Sequence, residues 1–149
     1  MKKRLLLLPL LFITTGCIPV STTTKINCNA EDVSFIKIYN LENIDINEHD
    51  IDEFTTRYLV GEINPSYHQT LLDSIEGTKY KELIPLAPST PNFYFYGYSI
   101  YIQYEDNQKA ILCPNLAVKY DAEGNWDRAF RGHNEELELI IQESLNYLI

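Results

Sequence analysis

Covalent catalysis by a serine or cysteine needs a nucleophile beside a base and an oxyanion site, usually on a tight glycine-flanked turn. The 149-residue chain contains neither GxSxG nor SxxK. Zinc takes His, Cys and carboxylate ligands at short spacing, but His49, His68 and His133 form no HExxH or HxxxH pair. His68 reads as a residue at the edge of a helix stripe and His133 as the solvated neighbour of a helix cap. Oxygen donors are denser. Asp45, Asn47, Glu48, His49, Asp50 and Asp52 crowd one segment, and Asp121, Glu123, Asn125 and Asp127 another; these are residue types that hard cations favour. Neither run has the glycine and glutamate spacing of an EF-hand, so they read as a solvated acidic loop and a β-turn. No carboxylate pair stands out for glycoside hydrolysis, and no glycine-rich phosphate cradle is present. The expectation is therefore a protein without catalytic residues, metal or cofactor.

What remains is a capacity for contact. Residues 91–105, PNFYFYGYSIYIQYE, concentrate Tyr94, Tyr96, Tyr98, Tyr101 and Tyr104 with Phe93 and Phe95. Tyrosine offers a large amphipathic face at little entropic cost and is enriched where interfaces concentrate their binding energy. From Tyr98 onward the run alternates: Tyr98, Ile100, Ile102 and Tyr104 share one face, and Ser99, Tyr101, Gln103 and Glu105 the other, the pattern of a half-buried strand. A bulge at Gly97 would shift the register by one residue, placing Phe93 and Phe95 on the core face with Tyr98. Tyr94, Tyr96 and Tyr101 are then an outward row, a candidate contact site for a protein or a glycan. The alternative is that a helix or the segment 78–90 covers these rings and makes them core.

The chain begins with a cationic cluster, Lys2-Lys3-Arg4, an apolar run from Leu5 to Ile13, and then Thr14-Thr15-Gly16-Cys17. That is the order of an export signal, and the apolar run falls well short of the roughly 20 residues a membrane helix needs. Gly16-Cys17 resembles the end of a bacterial lipoprotein signal, in which a small residue precedes the cysteine that becomes the lipidated N-terminus. The stretch departs from that family at Thr14, where a leucine-like residue is usual. An ordinary signal peptide cut near Gly16 is the alternative. The resemblance covers residues 1–17 and implies a signal peptide over 1–16, acyl chains such as palmitate on Cys17, and a stable membrane anchor, since several buried chains hold where one does not. Ile18, rather than aspartate, follows the cysteine, which in Gram-negative members of the family implies the outer membrane, facing the periplasm.

Acylation of Cys17 leaves Cys28 and Cys113, and an even remainder in an oxidising compartment argues for a disulfide between them. Closing so long a loop is worth about 4 to 5 kcal/mol in the chain-entropy model. Neither cysteine lies in a CxxC, so a redox-active pair is not expected.

Loss of residues 1–16 leaves 133 residues, the size of one domain, and removes the three cations of the signal. The 12 Lys and Arg fall to nine while all 21 Asp and Glu remain, a formal charge of −12. Such a surface is repelled by nucleic acid and suits a cationic protein.

Several elements can position these residues. Residues 17–30, rich in Ser and Thr with no periodic apolar pattern, read as the lipidated cysteine and a flexible tether. Residues 31–149 read as a single globular domain. Within it, VSFIKIY (33–39) alternates as a strand with Val33, Phe35 and Lys37 on one face and Ile36 and Ile38 on the other. Residues 54–63 favour a strand by composition, although Ile51, Phe54, Thr55, Tyr58 and Leu59 fall at helical spacing. Asn64-Pro65 opens a helix with Tyr67, Leu71, Leu72 and Ile75 as its stripe and Gly77 as its stop. Residues 80–86 read as a short edge strand, 109–113 as the hairpin partner of 98–104, and 116–120 as a further strand. Asn134 caps a last helix with Leu137, Ile140, Ile141, Leu145 and Leu148 inward. The order predicts an α+β domain, a small antiparallel sheet with two helices on one face, stapled by the disulfide.

The functional expectation is a membrane-anchored envelope lipoprotein with a small acidic, non-enzymatic binding or accessory domain. Its partners would be the membrane, through Cys17, and a protein or an envelope glycan. The alternative is a periplasmic inhibitor or immunity protein that neutralises a cationic toxin or hydrolase.

Overall fold

The computed structural model describes residues 18–41, 44–45, 57–84 and 94–149. The signal, Cys17, most of the first acidic run, the helical alternative over 51–55, Pro85, Pro88 and Phe93 lie outside the described residues.

In chain order the elements are β1 (Ile18–Thr23), β2 (Val33–Asn40), β3 (Ile44–Asp45), β4 (Leu59–Glu62), α1 (His68–Ile75), β5 (Lys79–Ile84), β6 (Tyr94–Phe95), β7 (Tyr98–Tyr104), β8 (Lys109–Cys113), β9 (Leu116–Tyr120), β10 (Trp126–Arg131) and α2 (Glu135–Ser144). The expected class holds: this is an α+β domain with antiparallel pairing. The sheet is larger than anticipated. Among the described residues its six strands run β10-β9-β8-β7-β2-β4, and two separate ribbons, β1-β5 and β3-β6, accompany it.

Alternation along the central strands sorts side chains onto two buried faces. One face carries Ile36 and Ile38 of β2, Ile100, Ile102 and Tyr104 of β7, and Ala110 and Leu112 of β8, and it is covered by Leu71, Leu72 and Ile75 of α1 and Leu137 and Ile141 of α2. Burying a side chain of this kind is worth about 1.5–3 kcal/mol, so this helix-covered face is the principal core. The other face holds Tyr39, Leu41, Phe95, Tyr101, Ile111, Cys113, Leu116, Val118 and Tyr120. The alternation read from β7 is correct, but its second face is not solvated, since Ser99 and Tyr101 are buried as well. Val33 joins Ile36 and Ile38 rather than Phe35, because the β2 register shifts between Val33 and Phe35 and an extra residue reverses every side chain beyond it.

The helix signals are realised atom by atom. Asn64 accepts a hydrogen bond from the Ser66 amide at 3.0 Å and starts a 3-10 turn, Pro65–Tyr67, that runs into α1. Gly77 ends it with φ +82°, a left-handed conformation that glycine adopts without steric cost. Asn134 accepts from the Leu137 amide at 3.1 Å to cap α2. His68 is buried, its Nε2 3.2 Å from the Ile63 carbonyl. Leu59–Glu62 is a strand, as composition suggested.

Two expectations are overturned. Residues 18–23 are not tether: they pair residue for residue with β5, from Ile18 opposite Ile84 to Thr23 opposite Lys79. Their β-branched content, Ile18, Val20, Thr22 and Thr23, is a strand signal that the absence of alternation concealed. The disulfide is also absent; Cys28 and Cys113 are free thiols. Cys28 packs beside the helix-covered core, whereas Cys113, odd in register to Ala110 and Leu112, lies in the cluster on the other face. The sheet itself separates the two sulfurs.

Candidate functional site

Of the expected aromatic row, Tyr101 is core and Tyr96 is outward. Gly97, with φ +71°, does not bulge one strand but divides two, so β6 pairs with β3 while β7 pairs with β2 and β8. Phe95 is buried as expected, yet in the cluster that also contains Tyr101, not on the face of Tyr98. Tyr101 is only 7% exposed, stacked on Phe35 at 5.9 Å and edge-on to Tyr39 at 5.7 Å, with its hydroxyl donating to Gln103 Oε1 at 3.1 Å. It is a core residue. The Tyr94 side chain lies outside the described residues. Tyr96 is 52% exposed and keeps the expected outward placing.

Tyr96 sits on a corner held from both sides. Its amide donates to Asn115 Oδ1 at 3.3 Å, its carbonyl accepts the Cys113 thiol at 2.8 Å, and the neighbouring Gly97 carbonyl accepts the Leu41 amide at 2.9 Å. The exposed ring is therefore carried on fixed backbone, the condition under which an aromatic contact forfeits little entropy on binding. Beside it runs a shallow cleft of about 130 Å³ between Tyr96, Gly97, Tyr98 and Pro114 on one side and Glu138, Ile141 and Gln142 of α2 on the other.

The α2 helix that walls this cleft is more than a capped core helix, because its outer side is a surface of its own. Glu135, Glu138, Leu139 and Gln142 fall at i, i+3, i+4 and i+7, which places them on one side of a helix, and all four are exposed. Leu139 is 71% exposed. With Glu136 and Glu143 also solvent-facing, the helix presents an apolar spot ringed by carboxylates, none of which forms an ion pair with a described residue. Lys37 and Glu62, at 3.8 Å, make the ion pair found among those residues. The signal for this face was legible: Leu139 stands off the Leu137, Ile140, Ile141 stripe.

Elsewhere the chemistry is bland. A hollow of about 310 Å³ at the α2 N-terminus is lined by Gly77, Lys79, Lys81, Asn134, Glu135 and Glu136, with cations and carboxylates on the same rim. A second, of about 260 Å³, is lined by Asn27, Asp32, Tyr104, Glu105 and Asp106; Asp32 Oδ2 there already accepts from Asn27 and Asn29. Asp121 turns its carboxylate on its own loop, accepting from the Glu123 and Asn125 amides at 3.1 and 2.7 Å. Among the described residues no three His, Cys, Asp or Glu side chains are grouped to hold a metal ion. Burial raises the pKa of the Cys113 thiol; burial, then the carboxylates of Glu76 and Asp73, raises that of Cys28. Both are held toward the thiol form, which is neither nucleophile nor metal ligand. No helix among the described residues is long and apolar enough to cross a membrane.

No protein-family model, curated protein or solved structure matches the chain.

Proposed function

We propose that the chain is a lipid-anchored bacterial envelope protein whose folded domain recognises a cationic protein partner through Tyr96 and the outward face of α2, with no chemistry of its own. Acylation of Cys17 would hold it at the membrane, and the outer membrane is the surface implied by Ile18. The observation that supports the recognition reading is the composition of these surfaces: Tyr96 is exposed across a cleft from Glu138 and Gln142, and Leu139 is exposed on the same helix among Glu135, Glu136, Glu138 and Glu143. An apolar centre supplies affinity, and a charged rim supplies steering and partner choice. A formal charge of −12 after signal removal acts in the same sense over longer range.

A second reading is that the partner is a toxin or hydrolase that this domain neutralises as an inhibitor or immunity protein. It is favoured by the same helix, because a rigid acidic element is the shape and charge that block a basic catalytic cleft.

The test is crosslinking capture from membranes with the native lipidated protein, run in parallel with Tyr96→Ser/Leu139→Ser and Glu135→Lys/Glu138→Lys variants. One cationic protein captured by the native chain and lost by both variants, with capture falling as salt rises, supports the reading. Retention of the same partner by both variants overturns it. Inhibition of a captured enzyme distinguishes the second reading from the first.

A further inference from the structure

The first strand begins one residue after the proposed anchor. A flexible tether of ten residues would span roughly 17 Å and leave the domain free to turn, but Ile18 is already opposite Ile84 and Pro19 opposite Leu83. The ribbon is fastened to the body at its other end. Lys81 and His133 exchange two backbone hydrogen bonds at 3.0 Å, and the Thr24 amide donates to the Thr78 carbonyl at 2.9 Å. The Thr78 hydroxyl is 3.1 Å from that of Thr24 and accepts from Asn134 Nδ2 at 3.1 Å. Tyr80, fully buried, donates to the Cys113 carbonyl at 2.7 Å.

Residue type changes along the ribbon. The outer rungs pair Ile18, Pro19 and Val20 with Ile84, Leu83 and Glu82; the inner rungs pair Ser21, Thr22 and Thr23 with Lys81, Tyr80 and Lys79. The apolar face of an interfacial helix settles roughly 5–10 Å into the headgroup boundary, and five strand steps place the Lys79 rung about 17 Å farther along the ribbon than Ile84, beyond a depth of that order.

We propose that the β1-β5 ribbon is the membrane-facing end of the domain, its outer rungs Ile18–Ile84 and Pro19–Leu83 resting in the lipid interface beside an acylated Cys17. This rests on the lipid-anchor reading and deepens it. The ribbon is then a stiff standoff, and because Asn134 joins its inner end to the start of α2, it sets the height and direction in which the acidic face of α2 is presented.

The test uses the full-length gene, with acylated mature protein purified from membranes and reconstituted in phosphatidylethanolamine and phosphatidylglycerol vesicles. The chain has one tryptophan, so Trp126→Phe provides a dark background for Ile84→Trp, Leu83→Trp and Lys79→Trp. Circular dichroism confirms that each variant folds. Brominated acyl chains are expected to quench Ile84→Trp or Leu83→Trp several-fold more than Lys79→Trp, with a blue-shifted emission. A Gly-Ser insertion between Cys17 and Ile18 should reduce that difference. Vesicle-bound, acylated protein in which all positions are quenched equally or not at all overturns the standoff and leaves the anchor standing. A mature protein without acyl mass that stays in the supernatant overturns both.

Discussion

Asn134 Nδ2 donates to Thr78 Oγ1 at 3.1 Å while Asn134 Oδ1 accepts from the Leu137 amide at 3.1 Å, so one buried amide caps α2 and ties it to the segment between α1 and β5. Losing an N-cap costs about 1 kcal/mol, and losing one hydrogen bond to the Thr78 hydroxyl, which keeps its contact with Thr24, costs about 0.5–1.5 kcal/mol more. Asn134→Ala should therefore destabilise the domain by about 1.5–2.5 kcal/mol in urea denaturation. Asn134→Asp keeps the capping oxygen and loses the donor to Thr78, and should fall between the two.

Tyr96 and Tyr101, alike in sequence context, should respond oppositely to truncation. Tyr101→Ser opens a cavity between Phe35 and Tyr39, and large-to-small changes of buried aromatics cost about 3–5 kcal/mol. Tyr96→Ser removes a half-exposed ring and should stay within about 0.5 kcal/mol of the parent. Thermal melts of the two single variants check this; equal losses would return Tyr96 to the core.

The thiols should behave as separate, unbridged groups. Alkylation of denatured, unreduced mature protein should label both Cys28 and Cys113, and reducing agent should leave the melting temperature unchanged. In the native state Cys28, partly exposed, should react before buried Cys113. Both should react more slowly near neutral pH than an unperturbed cysteine, whose pKa is about 8.5, because each pKa is raised chiefly by burial.

Alkaline pH should unfold the domain. Burial raises the pKa of Tyr80 well above its ordinary value, Tyr104 is also pushed up strongly by burial and then by Cys28, and Tyr39 is raised by burial and by Glu62. An acid whose pKa is higher in the folded state keeps its proton there after the unfolded chain has lost it, so stability falls wherever the unfolded state binds fewer protons. The contribution is intact below the unfolded tyrosine value of about 10 and declines as pH rises from there toward the folded values. Urea midpoints measured through the alkaline range should drop steadily, with tyrosinate absorbance appearing at unfolding rather than before it.

Much of the fold was legible because its signals are local. Asn64-Pro65, Gly77 and Asn134 act on their own helix ends, and the alternation in residues 98–104 needs nothing beyond the strand that bears it. Register was less legible: one bulge between Val33 and Phe35 moved Val33 to the opposite face, and nothing in VSFIKIY marks where an extra residue falls. At the candidate site, Tyr96 was named from the sequence, but the α2 face was visible only as a leucine out of phase with its stripe.

The chain alone determined the two helices with their caps, the strands over 33–39, 98–104, 109–113 and 116–120, the acidic charge and the residue order that resembles a lipoprotein signal, since each depends on neighbours within a turn or a strand. Tertiary structure decided which tyrosine is core and which is surface, that Cys28 and Cys113 stay unpaired, and that Ile18–Thr23 is a strand. Those outcomes depend on which face of a sheet a residue meets and which distant segment supplies its hydrogen bonds. In this domain the partners are far apart in sequence: β1 finds β5 and the six-stranded sheet parts the two sulfurs.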